Sequence, residues 1–547
     1  MVSPMQTTDP NPPPSFEIVR PVIETWRLVI ILLCIAIGLF LSLMDTTIVS
    51  TMLYTISDEF DGFQLSSWVV LAYTLSYVGC AVFMARLSDV IGRKLLICIC
   101  FCLFLAASMG CGASKNLNQL IGFRAVQGVG GSGLYAMAMI IYPEISPPAL
   151  LPAISGIVGI IVALAGISGP LIGGALTSYR TWRWAFWING PCAFVPAITL
   201  FIVWPKNFHL TKNIHFRHLD YLGTLLIMLG SVLFVFILNE AAIRVYAWKS
   251  APVVLILVIS GLSWIALVFW QWVVSWHPKL QLIRPQLPFR LLASRVMLAG
   301  FVSTILTGFV MLLVIVNIPL RAQIVNLKDA VGSGTLLLPL MGSTAVGSAL
   351  GGAASAKRNN SFWTLNLASI FMVIGSTLLS TLTDAVDPEP KQWVFEAVLG
   401  FGLGLSLSTM TFITTMQVKF EDHAVAQGIV AQLRIFGGSI GIAAAFIVFN
   451  NKVQETLTGV LTVEQLEQFY RTPAAIYRLP AAQQLVVREV YVGTFNTDMR
   501  ICAGIAAACL IATLCTYQRR PQSIKERLAD LEEAYARTEA TTTSNGR

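Results

Sequence analysis

Charged residues are scarce in this chain. Only 12% of its 547 residues are Asp, Glu, Lys or Arg, whereas 56% are hydrophobic, and the mean hydropathy is +0.73. Soluble domains are about a quarter charged, so this composition excludes an ordinary soluble protein. It indicates an integral membrane protein.

Motifs for several kinds of chemistry are also missing. The chain has only five histidines, whereas a membrane enzyme of the desaturase type needs several histidine clusters. No G-x-x-x-x-G-K-[ST] phosphate loop occurs, so the energy for any uphill transport must come from an ion gradient or from the substrate's own gradient. The ten cysteines lie in or at the ends of apolar runs and form no disulfide framework. We therefore expect no enzyme activity, catalytic residue, metal site or cofactor.

Long apolar runs dominate the rest of the chain. Runs of about twenty apolar residues are typical of transmembrane helices, and no signal-peptide pattern precedes the first run. With both termini in the cytosol, 21 Lys and Arg residues fall in inner segments and 13 in or at the edges of outer segments. The positive-inside rule favours this orientation, and the basic net charge then needs no nucleic-acid partner. We predict an all-α membrane protein with spans at 28–55, 66–85, 95–113, 117–142, 151–176, 184–204, 221–239, 252–274, 296–319, 332–354, 362–383, 392–417, 425–449 and 499–517.

Asp45 is the one acidic residue that we place deep inside an apolar run. No other charged residue occurs between residues 28 and 55. An ionised carboxylate at membrane depth is costly and usually marks an ion pathway or a proton relay. We therefore predict that Asp45 binds and releases protons.

Arg124 lies in the fourth span, at a depth similar to that of Asp45. Arg124 lies about 10 Å and Asp45 about 15 Å from the outer end of its span, at a rise of 1.5 Å per residue. Movement of the two side chains together or apart would let Asp45 load and release a proton. The alternative is a static buried ion pair that only holds the bundle together. Removing either partner would be damaging in both cases.

Glycine and proline are concentrated in the fifth span, at Gly166, Gly169, Pro170, Gly173 and Gly174. The proline removes a backbone donor and kinks the helix, and glycines four residues apart let a neighbouring helix approach closely. The same glycine spacing occurs in spans ten, twelve and thirteen. It favours helices that slide or rock, and tight static packing is the alternative.

A short predicted inner loop follows the second span and contains Asp89, Gly92, Arg93 and Lys94. Gly92 permits a tight turn, the two basic residues suit the cytosolic surface, and Asp89 can meet a helix N-terminus or a cation. Taken alone, this is an ordinary positive-inside hairpin.

Five segments, in the right order, resemble motifs of the major facilitator superfamily. Residues 86–94 are similar to its signature loop, residues 124–131, which include Gln127 and Gly128, to its fourth-helix motif, and residues 166–174 to its fifth-helix antiporter motif. Residues 45–49 and 182–191 resemble the first-helix motif and the entry to helix six of the fourteen-helix drug:proton antiporters. The likeness covers residues 26–520, and fungal pumps that export drugs, toxins or secondary metabolites are most similar overall.

The resemblance implies a major facilitator fold of two six-helix halves around a central cavity. It also implies two inserted spans between the halves. The expected organisation is a disordered cytosolic tail (1–27), a first half (28–204), a linker with the inserted spans (205–295), a second half (296–517) with a long outer loop (450–498), and a cytosolic tail (518–547).

The function implied by the resemblance is proton-coupled export of amphipathic organic compounds. Asp45 and Arg124 are then the proton-coupling pair, and the loop at 86–94 has a gating role. An uptake symporter of the same superfamily, or a membrane sensor without transport, is an alternative. The expected partners are a small organic substrate, protons and the lipid bilayer, and we expect a monomer in the cell membrane, with a vacuolar or vesicle membrane as the alternative location. Three residues of span thirteen are candidates for the polar lining of the substrate cavity: Gln427, Gln432 and Arg434.

Overall fold

The computed structural model describes most of the chain. The N-terminal tail predicted at 1–27 lies outside the described residues up to residue 23, and so does most of the tail predicted at 518–547. The described residues are 24–60, 65–147, 150–179, 181–205, 216–277, 280, 283–355, 358–457, 459–462, 465, 479–523, 526–527 and 529.

Fourteen helices in these residues are long and apolar enough to cross a membrane. The sixth consists of two consecutive segments, and a short helix precedes the tenth, at Ala330–Thr335. The fourteen helices are α1 (Thr25–Glu59), α2 (Ser66–Ile91), α3 (Arg93–Ala113), α4 (Leu117–Ile145), α5 (Leu151–Tyr179), α6 (Arg183–Trp187 and Asn189–Val203), α7 (Tyr221–Ala242), α8 (Ala251–Trp276), α9 (Arg295–Ile324), α10 (Leu338–Ala354), α11 (Ser361–Leu379), α12 (Pro390–Gln417), α13 (Phe420–Leu457) and α14 (Ala481–Leu514).

The ends of several helices differ from the predicted spans. The structure continues α13 to Leu457 and begins α14 at Ala481, so both ends of the outer loop predicted at 450–498 are helical. The first half of α14 is polar, and a hydropathy window cannot detect a helix whose polar groups are buried against protein rather than facing lipid. The loop predicted at 86–94 also shrinks to Gly92 alone, because α2 and α3 continue to either side of it.

The two largest hydrophobic cores organise two sets of helices. One is formed mainly by α1–α6 and the other mainly by α9–α14. The two sets meet along α5 with α10 and along α2 with α13. Gly156 of α5 approaches Ala349 of α10, and Gly428 of α13 approaches Ala85 of α2. A seam between the halves therefore passes through the centre of the bundle.

The inserted helices α7 and α8 pack against each other outside the two sets, and α7 contacts both α2 and α13. Val232 of α7 faces Gly79 of α2, and Phe234 of α7 packs on Phe436 of α13 with ring centroids 5.4 Å apart. The buried carboxylate of Asp220 precedes α7 and accepts hydrogen bonds from Trp270 and Gln271 of α8, both at 2.7 Å. These bonds fix the inserted pair as a unit.

Candidate functional site

Asp45 lies in the middle of α1 and is completely buried. The guanidinium of Arg124, on α4, forms an ion pair and a hydrogen bond with its Oδ2 atom. Gln127 Nε2, one turn further along α4, donates to Asp45 Oδ1 at 3.0 Å. Arg124 and Gln127 share a helix face because residues three apart lie on the same side. The structure thus brings together the two residues whose similar depth was predicted from the sequence.

Arg124 is held by more than the carboxylate. Its Nε atom donates to the Val69 carbonyl of α2 at 3.0 Å, and its Nη1 atom donates to Gln127 Oε1 at 2.8 Å. The guanidinium carbon also lies 4.3 Å from the ring centroid of Tyr73, a distance suited to a cation–π interaction. The planar fork of arginine is therefore used in several directions at once, which a lysine cannot reproduce.

Two residues that the sequence did not nominate complete the site. Asn189, at the start of the second segment of α6, places its Nδ2 atom 3.5 Å from Asp45 Oδ1. The same amide donates to Ser108 Oγ of α3 at 3.0 Å. Asn189 lies within the segment that resembles the family's entry to helix six, which was the only signal for it. Nothing in the sequence pointed to Ser108, because the hydroxyl of a single serine in an apolar span usually forms its hydrogen bond within its own helix.

Close helix contacts surround this carboxylate. A methyl group at Gly128 of α4 would lie 2.4 Å from the Tyr73 carbonyl oxygen of α2. A methyl group at Gly169 of α5 would lie 1.9 Å from Thr47 Oγ1 of α1. These glycines therefore allow α2, α4, α1 and α5 to approach at the level of Asp45.

The rest of the predicted antiporter motif lies along α5, between the halves. Gly166 faces the sulfur of Met341 on α10, where a methyl group would lie 2.8 Å away. Pro170 is inside α5, and its side chain is close to Gly334, which precedes α10. Two further members, Gly173 and Gly174, are buried.

A charged network surrounds the joint between α2 and α3. Gly92 has a φ of +89°, in the left-handed region that favours glycine. Arg93 donates to Asp89 Oδ1 at 2.7 Å and binds both carboxylate oxygens of Glu144, at 2.9 and 3.1 Å. Lys94 lies outside this network, with its ammonium 4.8 Å from the Phe201 ring centroid.

The same network crosses to the second set of helices. Arg86 pairs with Asp89 of its own helix at 3.4 Å and with Asp422 of α13 at 3.5 Å. It also donates to the Pro285 carbonyl at 2.6 Å, and Arg290 forms a second ion pair with Asp422. This arrangement joins the two sets at the end of the bundle where α2 ends.

The three cavity candidates on α13 point to different neighbours. Arg434 donates to the hydroxyl of Tyr135 on α4 at 2.6 Å, so it lies at the seam between the halves. Gln432 instead donates to Ser231 of the inserted helix α7 at 2.9 Å. Gln427 faces Thr415 of α12, within its own half, at 3.3 Å. Of the three, Arg434 has the position expected of a residue that lines a central path.

The opposite end of the bundle carries an ion pair between α1 and α6. Glu59 accepts hydrogen bonds from Arg183 at 2.6 Å and from the Trp182 indole at 2.5 Å. Partial burial raises the pKa of Glu59, but these hydrogen bonds and the positive charge of Arg183 outweigh it and leave the pKa below its usual value. This pair anchors the start of α6 to the end of α1.

The sequence also failed to single out buried charges in the second half. Arg321 of α9, Glu396 of α12 and Asp498 of α14 are each no more than 1% exposed. Asp498 lies just before the span predicted at 499–517, and Glu396 lies near the start of its span, so neither was counted as a carboxylate at membrane depth. Across the described residues, no group of three or more His, Cys, Asp or Glu side chains is arranged to hold a metal ion.

Sequence relatives give a consistent family. The profile of the Major Facilitator Superfamily matches residues 35–442. The chain is 32% identical over 508 residues to MFS-type transporter FPY5 of Fusarium mangiferae, covering 91% of this chain and 85% of that protein. It is 27% identical over 492 residues to the rubrofusarin-specific efflux pump aurT of Gibberella zeae, with 88% of each chain covered. It is also 28% identical over 437 residues to multidrug resistance protein 3 of Bacillus subtilis, covering 79% of this chain and 82% of that one.

Solved structures show the same fold. A bacterial homologue of the human lysosomal transporter Spinster matches with a TM-score of 0.57 at 15% identity, covering 91% of this chain and all of that one (100%). The human organic anion transporter MFSD10 matches with a TM-score of 0.54 at 13% identity, covering 87% and 99%. At such low identity these likenesses concern the fold alone. With the profile match and the relatives above, they lead to one conclusion: the chain belongs to the major facilitator superfamily, as a multi-pass membrane transporter and not an enzyme.

Proposed function

We propose that this transporter is a proton-coupled antiporter that exports amphipathic organic compounds. The observation that supports the proposal most strongly is the completely buried carboxylate of Asp45, paired with Arg124 and surrounded by the amides of Gln127 and Asn189. Ionisable residues at membrane depth usually belong to ion pathways or proton relays.

The contacts of Asp45 suggest how a proton would be handled. An incoming proton binds a carboxylate oxygen of Asp45 and cancels its negative charge, so the attraction to Arg124 is lost. Arg124 remains held by the Val69 carbonyl and Gln127. The neutral α1 side chain is then free to move relative to α4. Loss of the proton on the other side of the membrane restores the ion pair and completes the cycle.

The close packing of α5 on α1 supports coupling of this step to helix movement. Gly169 contacts Thr47, two residues beyond Asp45, and α5 also forms the seam with α10. Only one helix, α5, therefore lies between Asp45 and the interface that must open for a substrate to pass. The charged contacts of Arg86 with Asp422 would have to break when the halves separate at that end.

Two relatives have names that support export. One is called a rubrofusarin-specific efflux pump and the other a multidrug resistance protein. From these names we propose for this chain only the class of substrate, which is amphipathic organic compounds. Arg434 and Tyr135, which meet across the seam, are our candidates for polar contacts with such a molecule.

We also propose the orientation and location expected from the sequence. Both termini are in the cytosol, the joint at Gly92 is on the inner face, and the protein acts as a monomer in the plasma membrane. The basis for the orientation is the bias of Lys and Arg toward the predicted inner segments.

Transport by purified protein in liposomes tests the function. The probes are rubrofusarin and ethidium, followed with and without an imposed pH gradient. We expect wild-type protein to accumulate at least one probe against its gradient only when a proton gradient is present. Uphill transport that persists in the absence of any proton gradient would refute proton coupling.

The variant Asp45→Asn separates coupling from a static ion pair. It keeps the shape of the side chain and removes the titrating group, so uphill transport should be abolished while downhill probe exchange continues. Asp387→Asn, on the exposed surface, is the matched control and should transport normally. If Asp45→Asn instead transports uphill like wild type, another group binds the coupling proton. If it mainly lowers expression and thermal stability, the static role is correct.

A further inference from the structure

A second set of buried polar groups lies between α9, α12 and α14. It contains Asn317 and Arg321 of α9, Glu396 of α12, and Tyr491 and Asp498 of α14, none of them more than 4% exposed. The Tyr491 hydroxyl donates to Asn317 Oδ1 at 3.3 Å. Arg321 donates to the Thr383 carbonyl at 2.8 Å and lies 5.2 Å from the Phe495 ring centroid.

Asp498 is the least compensated member of this set. Neither of its carboxylate oxygens has a hydrogen-bond partner among the described residues, and no described Lys or Arg forms an ion pair with it. The Asn317 amide faces the carboxylate without an aligned hydrogen bond. The titratable groups that interact with Asp498 are Tyr491 and Cys502, both on α14 and neither able to supply a positive charge. A buried carboxyl group without a cation partner is accommodated by taking up a proton.

The position of Asp498 mirrors that of Asp45. In the first half, the carboxylate is on the first helix, α1, and the facing amide, Asn189, is on the sixth, α6. In the second half, the amide, Asn317, is on the first helix, α9, and the carboxylate, Asp498, is on the sixth, α14. The same pair of groups thus occurs at corresponding helices with the two side chains exchanged.

Only one of the two carboxylates is paired with an arginine. Arg124 binds Asp45 directly, whereas Arg321, on α9 one turn beyond Asn317, leaves its Nε and Nη1 atoms without hydrogen bonds. Glu396 accepts a hydrogen bond from Gln392 at 2.7 Å through Oε1, and its Oε2 atom has no partner within the described structure. Arg321 and Glu396 interact electrostatically without being in contact. The second half therefore holds an unpaired acid on α14 and an incompletely bonded arginine on α9, a helix that packs against α14.

We propose that Asp498 is a second proton-binding residue, so that each transport cycle handles protons at one carboxylate in each half. This proposal rests on the proton-coupled function proposed above. A proton reaches Asp498 from the end of the bundle where α12 and α14 begin, while the Arg321 guanidinium keeps its own protons throughout. When Asp498 loses this proton, its new negative charge attracts Arg321, which lies one turn beyond Asn317 on α9 and has two nitrogen atoms without hydrogen bonds. The two halves thereby use the same chemistry with separate arginines.

Direct measurement of proton binding tests the proposal without a known substrate. Purified full-length protein in detergent is titrated with acid and followed with a pH-indicator dye, which gives the protons bound per polypeptide. In the neutral pH range, above the range in which exposed carboxyl groups titrate, Asp498→Asn should bind one proton fewer than wild type, because the amide cannot take up a proton. Asp498→Glu should restore it. Asp387→Asn, the exposed control, should change nothing in that range.

The outcomes distinguish this proposal from the general function. If Asp498→Asn binds as many protons as wild type, Asp498 is not a proton site. If it binds one fewer, liposome transport of the active probe gives the second measurement: the steepness of the dependence on the imposed pH gradient should fall relative to wild type and recover in Asp498→Glu. An unchanged steepness would overturn the role in transport. Failure of wild-type protein to respond to a proton gradient would refute the general function instead, while the titration would still report on Asp498.

Discussion

Gly169 of α5 lies directly against Thr47 of α1, so closely that a methyl group on Gly169 would be 1.9 Å from Thr47 Oγ1. Non-bonded heavy atoms do not approach to that separation, so any larger residue forces the helices apart. Because Thr47 is two residues from Asp45, this contact links the seam-forming helix α5 to the buried carboxylate.

We predict that Gly169→Ala reduces uphill efflux strongly. The added methyl group displaces α1 from α5 next to Asp45, and the geometry of the ion pair with Arg124 changes. Adding Thr47→Ala should restore part of the activity, because it removes the Oγ1 atom that the methyl group meets. Gly261→Ala on α8 is the control, since nothing lies within 4 Å of that position. Equal activity in Gly169→Ala and Gly261→Ala would contradict the prediction.

At Arg124, we expect Ala to be far more damaging than Lys. Arg124→Ala leaves Asp45 buried without its cation, and breaking a buried ion pair in this way costs about 3–5 kcal/mol. Arg124→Lys keeps the charge but loses the planar fork that reaches Val69 and Gln127. Thermal unfolding and proton-driven efflux are measured on the same preparations. The ranking would be wrong if Lys and Ala lowered both quantities equally.

Cross-linking α2 to α13 should stop transport. A methyl group on Gly428 would lie 2.8 Å from Ala85 Cβ. The Cβ atoms of a disulfide are about 3.5–4.5 Å apart, so α2 and α13 must move slightly apart to accommodate the bond. Ala85→Cys combined with Gly428→Cys should form a disulfide under mild oxidation, block efflux and recover on reduction. Each single variant serves as a control and should not respond to the oxidant. Full transport by the cross-linked protein would show that the halves do not separate here.

The ion pair at Glu59 predicts a pH dependence of stability. The folded state lowers the pKa of Glu59 from its ordinary value of 4.5. Its stabilising contribution is therefore fully present above about pH 4.5 and is lost as the pH falls through the lowered folded value. The Tm of wild type should exceed that of Glu59→Gln at neutral pH, and the difference should shrink at acidic pH. A difference that grows on acidification would have the opposite sign and refute this account. The effect should be small, since the Glu59 side chain is 41% exposed.

The proposed orientation can be tested by labelling. Ala482 at the start of α14 and Arg358 between α10 and α11 are both exposed and lie at opposite ends of the bundle. In intact cells, a membrane-impermeant maleimide should label Ala482→Cys and leave Arg358→Cys unlabelled until the membrane is permeabilised. The reverse pattern would place the termini outside the cytosol.

Most of the fold followed from the hydropathy of the sequence, because lipid-exposed helices must be apolar along their whole length. The approach of Asp45 and Arg124 was also predicted, since two isolated charges at similar depth stabilise each other. Asp498 was missed for a physical reason. It is preceded on α14 by Arg488 and Asn496, which bond to backbone carbonyls elsewhere in the protein, so a helix buried by its neighbours had the composition of a loop.

The direction of a side chain was harder to predict than its depth. Gln432 and Arg434 are two residues apart on α13 and were assigned to the same cavity. The structure turns Gln432 to Ser231 of α7 and Arg434 to Tyr135 of α4, because the inserted helix covers one face of α13. A single sequence gives no indication of where an inserted helix packs.

The position of α7 has a consequence for molecules that arrive dissolved in the bilayer. The seam between the halves has two sides, one along α2 and α13 and the other along α5 and α10. On the first side, α7 lies across both helices and α8 lies beyond it, with a largely exposed apolar surface. A lipid-dissolved compound on that side meets the inserted pair before it meets the seam, so we expect any entry from the membrane to occur on the side of α5 and α10.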